Sequence, residues 1–349
     1  MNIDTLNDIA VRMVAPGKGI LAADESTGTI KKRFDTINVP STDETRRDYR
    51  EMLFRSDDAM RDHISGVILF DETLRQNAAD GTPLVKLIEA AGSIPGIKVD
   101  KGAKAITGFP GETVTEGLDG LRGRLAEYHD LGARFAKWRA VIDIGAQQGP
   151  CGGYQIPTRY CIAANAQALA RYAALCQDAG IVPIVEPEVL MDGDHDIDRC
   201  FEVTHATLSA LYAALYDARV VLEGTILKPN MVIAGKKATK QAGTEEIAEK
   251  TVRCFRQTVP AAVPGIVFLS GGQSEHEATE NLNTINANYQ GQMPWKISFS
   301  YGRALQAGAL QAWSGKAENR AAGAAAFAHR ARMNGLAQKG EWGASLENG

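Results

Sequence analysis

Short apolar runs rich in valine and isoleucine alternate along the chain with longer segments of helical periodicity. Eight runs read as strands: 17–24, 64–70, 96–100, 134–142, 180–186, 220–228, 265–270 and 295–300. After most of them, apolar residues recur at three- and four-residue steps, the spacing of one helix face. The segments 158–177, 196–218, 244–259 and 274–289 show this most clearly. In the second, Phe201, Thr204, His205, Leu208, Leu211, Tyr212 and Leu215 form a single stripe, so His205 reads as a partly buried, hydrogen-bonded side chain rather than a ligand. Eight β–α units predict an α/β fold of the closed parallel type, a (β/α)8 TIM barrel. Extra N- and C-terminal helices over 2–14 and 316–338, and one over 43–61, decorate it.

No Pro-, Gly- or Ser-rich linker divides the chain, which reads as one barrel domain over 1–333 with a mobile tail over 334–349. The Gly-rich stretch 145–157 reads as a surface loop. The segment after the first strand, AADESTGTI, lacks the GxGxxG turn that a doubly wound nucleotide-binding fold needs. Composition narrows the class further. Apolar residues make up 44% and charged residues 23% of the 349, ordinary globular values. A net charge of −4 argues against a nucleic-acid partner. Charged residues interrupt every apolar run, and the start MNIDTLNDIAVRM lacks a basic, then apolar, leader, so neither membrane nor secretion is expected. The five cysteines form no CxxC pair, which fits buried, reduced thiols in the cytoplasm. The six histidines show no HxH or HExxH spacing. DGDHD (192–196) lacks the later ligands of a calcium loop and reads as a polar turn capping the helix from Ile197.

Barrel enzymes take their chemistry from the C-terminal ends of the strands. Here those ends carry Asp24, Lys98, Lys137 with Arg139, Glu186 with Glu188, Lys228, Ser270-Gly271-Gly272 and Ser300-Tyr301-Gly302-Arg303. Lys228 closes the apolar strand GTILKPN, and Pro229 turns the chain out of register. An exposed strand-end lysine is usually a solvated cap. One buried in a barrel among cations favours its neutral amine, which attacks carbonyls to form a Schiff base. Lys137 and Arg139 lie two apart and share a strand face with Phe135 and Val141, while Trp138 and Ala140 face the helices. Two cations on a core-facing side need an anionic partner, either an internal carboxylate or a phosphate. Glu186 and Glu188 repeat the spacing with opposite sign; mutual splitting for acid–base work and simple pairing with Lys137 and Arg139 both fit. SGGQS and SYGRAL each place glycine beside a helix start, where free N–H groups and the helix dipole favour an anion, and Arg303 adds a charged donor.

These segments, in order and over almost the whole chain, resemble class I fructose-1,6-bisphosphate aldolases: GKGILAADESTGTIKKRF, GVILFDETL, GIKVDKG, FAKWRAVI, GIVPIVEPEVLMDGDHD, LEGTILKPNMV, VFLSGGQSEHEATENLNTIN and WKISFSYGRALQ. The resemblance implies reversible, metal-independent cleavage of a ketose bisphosphate, with no cofactor beyond the covalent Schiff base, by a homotetramer working in glycolysis and gluconeogenesis. It places the Schiff-base lysine on Lys228, the main acid–base glutamate on Glu186 with Glu188 nearby, the catalytic aspartate on Asp24 and a second lysine on Lys137. Substrate and phosphate contacts fall on Ser26, Arg33, Lys98, Arg139, Ser270, Gly271, Gly302 and Arg303. Ser26 and Arg33 come from the resemblance alone.

In the implied reaction Glu186 protonates the departing water of the carbinolamine, and Asp24, Glu186 or both take the C4 hydroxyl proton. Many members end in a tyrosine that aids proton exchange; the last tyrosine here is Tyr301, which implies slower exchange or another group in that role. Asp143 stands where the family often has lysine. The alternatives are a Schiff-base aldolase for another sugar phosphate, a non-catalytic scaffold that kept the fold, and a metal-dependent aldolase.

Overall fold

The computed structural model describes residues 2–145 and 156–348. Most of the loop expected at 145–157 lies outside the described residues. The strands are β1 (Gly19–Ala23), β2 (Ile64–Leu69), β3 (Ile94–Lys98), β4 (Ala103–Ala105), β5 (Thr113–Thr115), β6 (Phe135–Ile142), β7 (Val182–Val189), β8 (Ile226–Leu227), β9 (Gly265–Phe268) and β10 (Lys296–Tyr301). Eight of them close a parallel barrel in the order β1-β10-β9-β8-β7-β6-β3-β2. All eight expected strands are present. β4 and β5 form a separate antiparallel pair above the barrel wall.

Alternation along each strand sorts the side chains. On β6, Phe135 joins the barrel-interior cluster with Ile20, Ile68, Val182, Ile184, Ile226 and Val267. Ala136, Trp138 and Ala140 join the layer between barrel and helices, where the Trp138 and Tyr172 rings pack 5.5 Å apart. The same inward face continues from Phe135 to Lys137 and Arg139, and on β7 from Val182 and Ile184 to Glu186 and Glu188. The barrel is therefore apolar at its lower end and charged at its upper end. The helix Ile3–Met13 seals the lower end, inserting Leu6, Ile9, Ala10 and Met13 into the interior cluster. Burying that face removes the barrel's apolar floor from water, which is why an N-terminal helix of strong amphipathic pattern sits there.

Two expected boundaries move. The helix expected at 43–61 is two, Asp43–Phe54 and Asp57–His63, broken at Ser56. The tail expected to be mobile from 334 is docked. The last long helix runs Arg320–Lys339, with Met333, Asn334 and Ala337 fully buried. Gly335 permits a close approach rather than ending the helix: a side chain there would meet the Gly17 carbonyl at 2.6 Å. Beyond it, Glu347 takes two 2.8 Å hydrogen bonds from Arg330 and one of 3.2 Å shared with His329. The four cysteines among the described residues are free and buried.

Candidate active site

The upper face opens into a cavity of about 300 Å³. It is lined by Asp24, Ser26, Arg33, Lys98, Lys137, Arg139, Glu186, Glu188, Lys228, Ser270, Gly271, Gly272, Ser300, Gly302 and Arg303. One expected contact is misplaced. The Tyr301 side chain is fully buried and donates its hydroxyl to the Ala278 carbonyl at 2.9 Å, on the helix side of the barrel. Strand alternation explains this, since Ser300 and Gly302 take the inward positions on either side of it.

At the centre, Lys137 Nζ lies 2.7 Å from Asp24 Oδ2 and 3.2 Å from Glu186 Oε2. Lys228 Nζ lies 3.3 Å from Glu186 Oε1. Lys228, whose N–H bonds the Val185 carbonyl at 2.8 Å, thus follows β8 at the level where β7 presents Glu186. Lys137, Lys228 and Glu186 are almost wholly removed from water and Asp24 is largely so, which makes the four side chains hold as a unit. Burial by itself raises the Asp24 carboxyl, but Lys137, Lys228 and Lys98 outweigh it and hold it far below its ordinary range. Burial also raises Glu186, and Lys137, Lys228 and Arg139 together bring it below its ordinary value. Burial works against the Lys137 ammonium, yet Asp24 and Glu186 hold its proton more tightly than usual.

Two expectations change on this geometry. The splitting of Glu186 against Glu188 gives way to separate partners, because Arg139 takes Glu188 while Lys137 and Lys228 share Glu186. Neighbouring cations are also not what Lys228 meets first: a proton acceptor, Glu186, stands against it.

The rim differs between the two glycine turns. At Gly302 the helix Arg303–Trp313 begins without a side-chain cap, leaving first-turn N–H groups toward the mouth. After β9 the next helix starts only at Glu275 and is closed by a Ser274–Glu277 capping box. There the turn itself supplies the free N–H groups: Gly271 and Gly272 have φ of 56° and 90°, the left-handed backbone that builds an N–H concavity. Ser300 Oγ is buried beside them without a hydrogen-bond partner among the described residues.

Ser26 heads the helix Thr27–Asp35, again without a side-chain cap, and Arg33 follows on it. Arg33 is held by Glu25, which is buried and takes a 3.1 Å bond from Gln306. Arg50, only 1% exposed, donates to the Glu25 carbonyl at 2.8 Å. Sequence reasoning missed this supporting layer, and also Asp192 and Lys236 at the rim. Glu25 had a signal, its place between Asp24 and Ser26; Lys236 had none in the sequence.

Among the described residues no group of three or more His, Cys, Asp or Glu is placed to hold a metal ion. No described helix is long and apolar enough to cross a membrane.

A closed parallel barrel with a buried lysine–glutamate–lysine array at the C-terminal ends of its strands defines a class of barrel enzymes whose lysine can attack a carbonyl. Comparison with known proteins sharpens this. The family described as fructose-bisphosphate aldolase class-I matches residues 5–349. A probable fructose-bisphosphate aldolase class 1 of Xanthomonas campestris pv. campestris is 57% identical over 343 residues, 98% of this chain and 99% of that one. Fructose-bisphosphate aldolase C of Homo sapiens is 53% identical over 344 residues, 99% of this chain and 92% of that one. The Plasmodium falciparum fructose-bisphosphate aldolase, solved in complex with TRAP and a small-molecule inhibitor, superposes with a TM-score of 0.93 at 50% identity, covering 98% of this chain and 96% of that one. The chain belongs to the class I fructose-bisphosphate aldolase family.

Proposed function

We propose that the chain cleaves D-fructose 1,6-bisphosphate reversibly to dihydroxyacetone phosphate and D-glyceraldehyde 3-phosphate through a Schiff base on Lys228, without metal or other cofactor. The observation that carries this reading is the Glu186 carboxylate bridging the two lysines, 3.3 Å from Lys228 and 3.2 Å from Lys137. Glu186 rests ionised, so it first accepts the proton of Lys228 and frees the amine to attack the C2 carbonyl. The carbonyl oxygen becomes the carbinolamine hydroxyl. The proton now on Glu186 passes to that hydroxyl, water leaves, and an iminium joins Lys228 to C2.

Glu186 is then a carboxylate again and takes the C4 hydroxyl proton. The C3–C4 bond breaks, its electron pair runs into the iminium, and glyceraldehyde 3-phosphate departs from an enamine. Protonation at C3 and hydrolysis return the lysine and release the ketose phosphate. Asp24 fixes Lys137 at 2.7 Å. Lys137 stabilises negative charge as it develops near C2 and C4. Arg139 with Glu188 and Lys98 with Asp100 border the sugar path. Phosphates are received by Ser270, Gly271 and Gly272, by Ser300, Gly302 and Arg303, and by Ser26 and Arg33. The family relationship further supports a homotetramer in the cytoplasm. Turnover of fructose 1,6-bisphosphate in excess chelator tests the reaction: both triose phosphates appear at an undiminished rate, whereas loss of turnover in the chelator would favour a metal-dependent route.

A further inference from the structure

We propose that Lys236 is a phosphate-binding residue of this site, contributing a cation to the Ser270–Gly272 turn. The inference rests on the aldolase reading for the identity of the sugar phosphate, and on geometry for the residue. Lys236 lies in the loop after β8, eight positions beyond Lys228, and lines the same cavity as Ser270, Gly271, Gly272 and Arg303. Its ammonium sits over the glycine turn, so closely that a side chain on Gly272 would meet Lys236 Nζ at 2.2 Å. The turn thus offers N–H groups from its left-handed backbone with a positive charge directly against it, the two components of an anion site.

The backbone beneath Lys236 is fixed by the loop after β7. Lys236 N–H donates to the Met191 carbonyl at 2.7 Å, Gly235 N–H to His195 at 2.8 Å and Lys237 N–H to Gly193 at 3.0 Å. The two loops approach so tightly at Gly235 that a side chain there would lie 2.2 Å from the Gly193 carbonyl oxygen. Asp196 of the same loop caps the next helix through Arg199 N–H at 2.8 Å. The polar run 192–196, which the reaction does not use, therefore serves as the platform that aims Lys236.

The side chain itself is left adjustable. Its one ionic partner among the described residues is Asp192, at 3.4 Å and largely exposed, and an exposed pair of this kind contributes little. Lys236 also borders a neighbouring cavity of about 530 Å³, which gives the long stem room to reorient. A dianionic phosphate in the glycine turn competes successfully with one solvated carboxylate for the ammonium.

Steady-state cleavage of fructose 1,6-bisphosphate by the full chain, with calorimetric titration of inorganic phosphate, tests this on Lys236→Met, Lys236→Arg and Asp192→Asn. Lys236→Met raises KM about tenfold and weakens phosphate binding in parallel, while kcat stays within about threefold. Lys236→Arg restores most of the loss, and Asp192→Asn lowers KM by removing the competitor. Unchanged KM and phosphate affinity in Lys236→Met would overturn the proposal. So would an equal rise in KM from Asp192→Asn, the mark of a merely structural ion pair. Wild-type turnover reads the aldolase assignment separately, and phosphate titration reads Lys236 even if another sugar phosphate is the substrate.

Discussion

Replacing Lys137 by methionine keeps the apolar stem and removes the ammonium that Asp24 and Glu186 share. At an effective dielectric of about 20, contacts at the observed separations correspond to gross attractions of roughly 5–6 kcal/mol each. The net cost is smaller, about 3–5 kcal/mol, because the stranded carboxylates relax and take up protons. Lys137 is the strongest influence lowering both carboxyls against their burial. Without it both rise. The acid limb of kcat/KM therefore moves to higher pH, and kcat falls about 10²–10³-fold from the lost electrostatic stabilisation.

The signs for stability follow from the same shifts. Depressed carboxyls contribute fully above their ordinary values of 3.8 and 4.5, and lose that contribution as pH falls through their folded values. The raised Lys137 contributes fully below its ordinary 10.5 and loses this as pH rises through its folded value. The gap in melting temperature between wild type and variant is therefore widest between those limits and narrows in stronger acid. A pH–rate profile with parallel thermal melts measures both effects. A kcat within about threefold of wild type, with an unmoved acid limb, would refute the role given to this lysine.

Glu186→Gln keeps the shape of the side chain and removes the proton carrier between Lys228 and substrate. It lowers kcat by about 10²–10⁴-fold, and single-turnover kinetics place the loss in iminium formation rather than in binding. Arg50→Met leaves Glu25 without its deeply buried cation, which costs about 3–5 kcal/mol in urea unfolding. Because Glu25 also holds Arg33 at the rim, the same variant raises KM; a change in stability alone would mean that Arg33 is positioned by other contacts.

The barrel was legible because strand and helix periods differ, and because inward positions on 134–142 and 180–186 change from apolar to charged along one face. That change is what the structure uses to place Lys137, Arg139, Glu186 and Glu188 at the upper end. Other features carry weaker signals. β4 and β5 have three residues each, too few for a period to register, and β8 has two within a run that read as nine. The tail misled because what docks it is distant in sequence: Gly335 packs closely on Gly17, a contact that no local pattern shows. Tyr301 misled because a motif names neighbours without regard to strand alternation. Lys236 was invisible because the hydrogen bonds that aim it join two loops about forty residues apart. Pairings of charge were open from sequence for the same reason: which carboxylate meets which lysine depends on register between strands.

The central claim is that Lys228 forms the covalent intermediate. Borohydride reduction in the presence of fructose 1,6-bisphosphate and chelator, followed by peptide mass mapping, tests it most directly. The account predicts one reduced ketose-phosphate adduct on Lys228, with activity lost in proportion to its formation. An adduct on Lys137 or Lys98, or sustained cleavage with no adduct at all, would contradict it.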